Sequence, residues 1–390
     1  MDKCEPILNT GLRGFSVATT QISDVDGKRG RLIYRGYPVK DLAGAVSFEE
    51  TACLLLHEKL PSQSELKDFD TALKKERAVA PEILTAMEKM PADALPMDIL
   101  QGCVSMLAAF DPDIADESPE AAMRMSMRLI AKMSTLCAAW DRIRNGKKPV
   151  DPSPDLGHGA NFLYMLTGET PDGHTASFFD TALTLHAEHS FNASTFTARQ
   201  VASTKAHVYA SISAAMGSLS GPLHGGANTR VMKMLMEIGS ADRVDDHVKN
   251  VLETGGVIMG LGHAVYQVDD PRAHILEPMS RELGEAAGDP KWHTLSKALE
   301  KKGKAAFKEK KGKDIFVNVD FYSASLYHYM KIPMDMFTPV FAAARVAGWA
   351  AHVLEERFAG ASDKPVLYRP ESEYIGEYCG EEDCKLPEEN

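Results

Sequence analysis

Three histidines and one aspartate lie in stretches whose neighbours suggest chemistry rather than packing. In GPLHGGAN, residues 221–228, His224 stands between a Gly-Pro turn and a Gly-Gly pair, just before a helical pattern. A histidine that only fills a core needs no such backbone freedom, whereas glycines there let a ligand approach closely. At a helix start the exposed N–H groups disfavour imidazolium, so a neutral ring can donate a hydrogen bond to a carbonyl becoming an enolate. The alternative is a turn whose histidine merely caps the helix. In GGVIMGLGHAVYQVDDPRA, 255–273, Gly260, Leu261 and Gly262 lead into His263, with Arg272 beyond an extended segment. That pairs a proton donor with a carboxylate clamp, or else an ordinary turn with a surface arginine. Gly260-x-Gly262 lacks the third glycine and the βαβ frame of a dinucleotide site. Asp320, in IFVNVDFYSASLYHYM, reads first as a helix N-cap, a role that also keeps it ionised as a base must be. Arg345 interrupts the apolar FAAARVAGWAAH, so its charge must reach solvent or a buried anion. Arg369, in VLYRPESEY, says nothing by itself. In LTLHAEHSFNAST, His186 and His189 share one face if the stretch is helical, but with no HExxH motif and no third ligand no metal is assigned. Taken together, a neutral histidine, a second histidine, a carboxylate and several arginines suit proton removal beside a thioester carbonyl. Carbon–carbon bond formation with a small polyanion would follow.

The elements that must position these groups are mostly helices. At 390 residues, 44% hydrophobic and 25% charged, the chain has the balance of a globular protein large enough for two domains. A formal charge of −12 opposes general nucleic-acid binding, so an anionic ligand must meet a local cluster of cations. No apolar run approaches the roughly 20 residues of a membrane span, and the N-terminus shows neither a signal core nor an Arg-rich presequence, which implies a cytoplasmic protein. Cysteines 4, 53, 103, 137, 379 and 384 lack C-x-x-C spacing and read as reduced thiols; Cys379 and Cys384 are a weaker candidate for a redox pair. A hairpin is expected around Asp26-Gly27, with positive φ tolerated at the glycine. Ser47 and Glu50 have capping-box spacing ahead of SFEETACLLLHEKL, and three-to-four apolar periodicity continues to about 146. After a Pro- and Gly-rich connection at 145–159, helices are expected over 179–197 and 202–219. The Lys-rich run at 301–313 reads most simply as a solvated helix face. The expected organisation is a large helical domain (1–223), a small domain (224–325), and a return to the large domain with a flexible acidic tail (326–390).

In this order and at these separations, GPLHGGAN, GLGHAVYQVDDPRA and NVDFYSA resemble the citrate synthase family. The likeness runs from GLRGFSVATTQISDVDGKRGRLIYRGY through NFLYMLTGETPD to YRPESEYIG. It implies a mainly α, two-domain helical fold with a short N-terminal β-hairpin, forming a homodimer or a higher homo-oligomer. Each subunit would close over oxaloacetate to create the acetyl-CoA site. By match of motif, Asp320 would take the methyl proton of acetyl-CoA, His224 would hydrogen-bond the forming enolate and His263 would protonate the oxaloacetate carbonyl. His189, Arg272, Arg345 and Arg369 would hold the oxaloacetate carboxylates, with Arg369 arriving from the other subunit. Gly260, Leu261, Gly262 and Gln267 would line the CoA path. Citryl-CoA would then be hydrolysed to citrate and CoA, with no tightly bound cofactor. Gln267 departs from the Lys or Arg usual there, which predicts weaker, salt-sensitive CoA binding unless lysines of 301–313 substitute. The short stretch before the hairpin implies no NADH allostery of the hexameric kind. A 2-methylcitrate synthase using propionyl-CoA is the nearest alternative, and a non-catalytic acyl-CoA-binding homologue a more distant one.

Overall fold

The computed structural model describes residues 11–12 and 14–378, so Cys4, Cys379, Cys384 and the acidic tail lie outside the described residues. Three antiparallel strands, β1 (Ser23–Asp26), β2 (Arg31–Tyr34) and β3 (Tyr37–Pro38), precede the helices. These begin with α1 (Val39–Leu42), α2 (Phe48–His57), α3 (Gln63–Lys75), α4 (Pro81–Glu88), α5 (Pro96–Leu107) and α6 (Pro119–Arg144). Next come α7 (His158–Thr167), α8 (Gly173–His186), α9 (Ala193–Ala202) and α10 (Val208–Ser220). Beyond His224 lie α11 (Ala227–Ile238), α12 (Val244–Thr254), α13 (Pro271–Ala286), α14 (Lys291–Lys311), α15 (Val319–Tyr329) and α16 (Phe337–Arg357). The fold is mainly α, as the periodicity predicts.

Helices start where the sequence supplies caps. Ser47 and Glu50 close the expected capping box: Ser47 Oγ accepts from Glu50 N at 3.2 Å and Glu50 Oε2 accepts from Ser47 N at 2.7 Å. Asn192 caps α9 and Asp270 caps α13, each accepting N–H groups of the first turn. α16 is apolar on nearly every face and is packed by α6, α9, α10, α8 and α2, as a helix without a solvent side must be. Helices α11 to α15 pack largely on one another, α13 and α11 against α15 and α12 against α14.

Three expectations fail locally. The predicted continuous helix over 179–197 breaks at 187–192, where Ser190 has φ of +51°. His186 therefore ends α8 while His189 sits in the connection, and the two do not share a helix face. Propensity misses the break because Glu188 makes it: its carboxylate accepts from Ser190 N and from Ser23 Oγ, tying the connection to β1. Similarly, the helix expected from 202 starts at Val208. In the hairpin the positive φ falls on Gly30 (+62°), not Gly27, because Asp26 Oδ1 accepts from Lys28 N and Arg29 N and folds the turn itself. Gly27 is needed for close approach: a Cβ there would lie 2.1 Å from Val265 O.

Among the described residues no helix is long and apolar enough to cross a membrane. Nor does any group of three or more His, Cys, Asp or Glu side chains among them suit a metal ion.

Candidate active site

A cleft of about 670 Å³ opens between the α8–α9 connection, the 221–228 turn, the 260–272 loop and the starts of α15 and α16. His189, His224, His263, Arg272, Asp320 and Arg345 all line it, though they are scattered over the chain.

His224 lies two residues before the Gly226 N-cap of α11, and the helix it addresses is another one. Ser194, in the first turn of α9, donates its backbone N–H to His224 Nε2 at 3.2 Å, and Ser194 Oγ lies 2.7 Å from the same nitrogen. A ring nitrogen that accepts a backbone N–H carries no proton, so the proton is on Nδ1. Trp349 Nε1 donates to Ser194 Oγ at 3.1 Å and fixes the serine. Burial, then the Arg345 charge, lower the His224 pKa to about 4, so the ring is neutral at physiological pH. The ring is neutral as the sequence argument expects, but through burial and Arg345, and the helix N–H it meets belongs to α9 rather than to the helix that follows it. Gly225 is obligatory here, since a Cβ would lie 1.9 Å from Leu219 O.

His263 is set the opposite way. Its Nδ1 accepts from Val265 N at 2.9 Å and Tyr266 N at 3.1 Å, which leaves the proton on Nε2. Burial and Arg272 bring its pKa to about 4. His189 is packed edge-on to both His263 and Tyr266, with centroids 5.6 Å away in each case, and its Nε2 lies 3.2 Å from Tyr266 Oη. Burial, with Arg272 and Arg345, holds His189 well below the usual histidine range.

Asp320 is not the cap expected for it. Asn318 is, accepting from Asp320 N at 3.1 Å. With its carboxylate released from that duty, Asp320 lines the cleft, and burial raises its pKa to about 6 against the pull of Arg272 and, more weakly, Arg230. It is thus ionised at neutral pH yet more basic than a surface carboxylate.

Arg272 and Arg345 differ in what they have left to offer. Arg272 Nε and Nη2 donate to Asp270 at 3.0 and 2.7 Å, a bidentate pair at the α13 start. Arg345 does not snorkel: it is 1% exposed, its Nε donates to His186 O at 2.7 Å, and its guanidinium lies over the Phe341 ring at 4.6 Å. Burial, only partly opposed by Glu188, brings it down to about 10. A buried cation facing a cleft is a ready partner for a ligand carboxylate.

The 260–272 loop is stitched to the strand-like approach to α15. Gly262 N donates to Phe316 O at 2.7 Å, Asn318 N to Gly260 O at 3.0 Å and Asp270 N to Val317 O at 2.9 Å. Asn318 Nδ2 adds a bond to Gly262 O at 3.0 Å. Gly260 (φ +82°) allows this, because a Cβ would come within 2.6 Å of Phe321. Of the expected CoA-path residues, Gly262 lines the cleft, while Gly260 and Leu261 lie behind it. Gln267 lies in an adjoining hollow of about 400 Å³ with Asp24, Asp26 and Lys28, its N–H donating to Gly27 O at 2.8 Å. The α14 lysines are largely engaged: Lys302 pairs with Asp245, Lys304 with Asp269 and Glu300, and Lys308 with Asp314. Arg369 is exposed on the extended segment after α16 and does not line this chain's cleft.

Sequence reasoning passed over Ser194, Tyr266, Asn318 and Glu188. The Asn-x-x-Thr spacing at Asn192 and the Asn two places before Asp320 are readable as caps. Nothing local signals Tyr266, whose hydroxyl reaches His189, or Glu188, whose carboxylate also reaches Ser23.

The chain matches the family model for the citrate synthase C-terminal domain over residues 11–371. It is 44% identical to a citrate synthase of Haloferax volcanii over 377 residues, 95% of this chain and 96% of that protein. It is 38% identical to a 2-methylcitrate synthase of Shewanella oneidensis, covering 96% and 97% respectively. The ternary complex of carboxymethyl coenzyme A and oxaloacetate with citrate synthase from Thermoplasma acidophilum superposes with a TM-score of 0.86 at 27% identity, over 94% of this chain and 96% of that one.

Proposed function

This chain belongs to the citrate synthase family, and we propose that it condenses acetyl-CoA with oxaloacetate in the cleft described above, then hydrolyses citryl-CoA to citrate and CoA. The observation that carries the assignment of roles is the convergence of three groups in one cleft: Asp320, His224 with its proton on Nδ1, and His263 with its proton on Nε2.

Asp320 takes a proton from the acetyl methyl group, and the C–H electron pair becomes the carbon–carbon double bond of an enolate. A carboxylate near pKa 6 is far weaker than the carbanion it must generate, so the step runs only if the oxyanion is stabilised as it forms. His224 supplies that through Nδ1–H, and its low pKa makes it a hydrogen-bond donor rather than a charge that would protonate the oxyanion outright. The enolate carbon attacks the ketone of oxaloacetate. The ketone oxygen then gains the proton of His263 Nε2; water adds to the thioester carbonyl and returns a proton to that nitrogen, the C–S bond breaks, and the proton held by Asp320 leaves on the CoA thiol as the new carboxyl group ionises.

Arg272, Arg345 and His189 hold the oxaloacetate carboxylates, with Arg369 donated by a second copy. Val366, Leu367, Tyr374, Ile375 and Tyr378 leave large apolar surface exposed on the segment carrying Arg369, which supports a dimer that covers it. Residues 224–325 form the small domain in this reading, closing on 1–223 and 326–390 to exclude water from the thioester. Acetyl-CoA is a co-substrate, and no tightly held cofactor is invoked.

Oxaloacetate-dependent release of free CoA from acetyl-CoA, followed with a thiol reagent, tests the reaction; no release identifies a non-catalytic acyl-CoA binder. Running propionyl-CoA beside it tests the substrate. One methylene is worth about 1 to 3 kcal/mol, so a preference for acetyl-CoA of roughly tenfold or more is expected, and the reverse ratio identifies a 2-methylcitrate synthase.

A further inference from the structure

Beyond the contact of Ala361 O with Thr19 Oγ1, the segment after α16 is hydrogen-bonded to remote parts of the described chain at one place. From 362 to 378 every residue is exposed except Tyr368. Among the described residues, apart from the local bond of Ser362 Oγ to Lys364 O, each hydrogen bond joining 363–378 to the rest of the chain is made by Tyr368, the neighbour of Arg369. Its hydroxyl donates to Glu356 Oε2 at 3.0 Å, its N–H points to Ser203 Oγ at 3.4 Å, and its ring meets Phe196 edge-on with centroids 5.7 Å apart.

Behind Tyr368 runs a buried chain of charges. Glu356 Oε2 pairs with Arg199 Nη2 at 2.7 Å, and Arg199 Nη1 donates to Glu355 Oε2 at 2.6 Å and to His352 Nδ1 at 2.9 Å. Arginine only donates, so His352 Nδ1 accepts and its proton lies on Nε2, from which it donates to Glu188 Oε1 at 3.1 Å. Arg199, His352 and Glu188 are all 3% exposed or less. Glu188 immediately precedes His189 and shapes the α8–α9 connection that delivers it to the cleft.

We propose that Tyr368 is a positioning residue for Arg369. Its hydroxyl registers the strap against the same buried network that fixes the His189 connection, so the arginine leaves for a second copy's cleft from a set point. A network this deep is stable without Tyr368, since Arg199 already answers both carboxylates; the hydroxyl adds register rather than fold. The inference rests on the assignment of Arg369 to oxaloacetate, and its test separates the two.

The variants are Tyr368→Phe, Arg369→Ala and the double variant, each assayed as the full-length enzyme. Tyr368→Phe is expected to raise the KM for oxaloacetate about three- to tenfold, as for the net loss of one ordinary hydrogen bond. Its kcat, its KM for acetyl-CoA and its melting temperature stay at the parent values. Arg369→Ala raises the same KM further, and adding Tyr368→Phe to it changes nothing more, because a positioning residue has nothing left to position. An unchanged oxaloacetate KM in Tyr368→Phe, with Arg369→Ala still impaired, overturns the proposal alone. Equal losses in both KM values with a lower melting temperature also overturn it, by showing a merely structural role. An unimpaired Arg369→Ala removes the assignment of Arg369 and the proposal with it.

Discussion

Two regions of this molecule hold buried acids with raised pKa values and put them to opposite uses. Asp320 faces the cleft, and burial lifts it to about 6 while Arg272 pulls it back. Asp180 lies beneath a hollow of about 530 Å³ between α2, α3, α7 and α8, where burial and the adjacent Glu49 carboxylate lift it to about 8. Glu49 is raised by burial as well. Both acids of that pair serve as fasteners: Asp180 Oδ2 accepts from Phe48 N at 2.8 Å at the start of α2, and Glu49 Oε1 accepts from His158 N at 2.6 Å at the start of α7. Burial alone therefore does not make a catalytic base. A cation close enough to keep the acid ionised at working pH does, and a second acid in its place keeps a proton on the site.

The strongest test of this contrast is Asp320→Asn, which removes the base without altering shape. A loss of about 10³-fold in kcat is expected, with stability unchanged or higher, because a desolvated charge has gone. In the parent enzyme, kcat/KM for acetyl-CoA is expected to fall as the pH drops through about 6, since only the ionised acid accepts a proton; a profile flat down to pH 4.5 breaks the comparison. His224→Ala comes next, with about 10²- to 10³-fold lost in kcat for one missing oxyanion donor. Here an intact kcat would show that the enolate is stabilised elsewhere.

Asp180→Asn is expected to leave kcat alone and to change how stability depends on pH. An acid raised on folding holds its proton more tightly folded than unfolded. Its contribution is complete below the unfolded pKa near 4 and is lost as the pH climbs toward 8. The asparagine variant flattens that decline in melting temperature between pH 5 and 8; a parallel shift at all pH values would show that Asp180 is already ionised. The smallest effect is expected from Gln267→Lys at the edge of the cleft. It adds a cation where Asp24 and Asp26 now surround the site. A fall in the KM for acetyl-CoA of about two- to fivefold is expected, fading at high salt, and an unchanged KM would place the CoA phosphates elsewhere.

The helices were legible because their signals are local: Ser47 with Glu50, the prolines that open α4, α5 and α6, and the apolar run of α16 on either side of Arg345. The chemistry-bearing residues were legible through their glycine-rich and asparagine-rich surroundings and the family likeness those stretches carry. What could not be read was whatever depends on distant partners. The histidine tautomers come from Ser194 N–H in one case and from the loop after His263 in the other. The break at 187–192 comes from a carboxylate reaching β1. Asp320 as a cap was a sound local inference, displaced because Asn318, two residues earlier, competes for the same N–H groups.

The stitching of the 260–272 loop to the approach to α15 has a corollary for how the site can fail. His263, Arg272 and Asp320 ride on one braced slab, so the spacing between proton acceptor and proton donor is set by hydrogen bonds within it. His224 is anchored separately, through Ser194 on α9. Damage at Ser194 therefore disturbs the host of the enolate while leaving the acid–base couple in place.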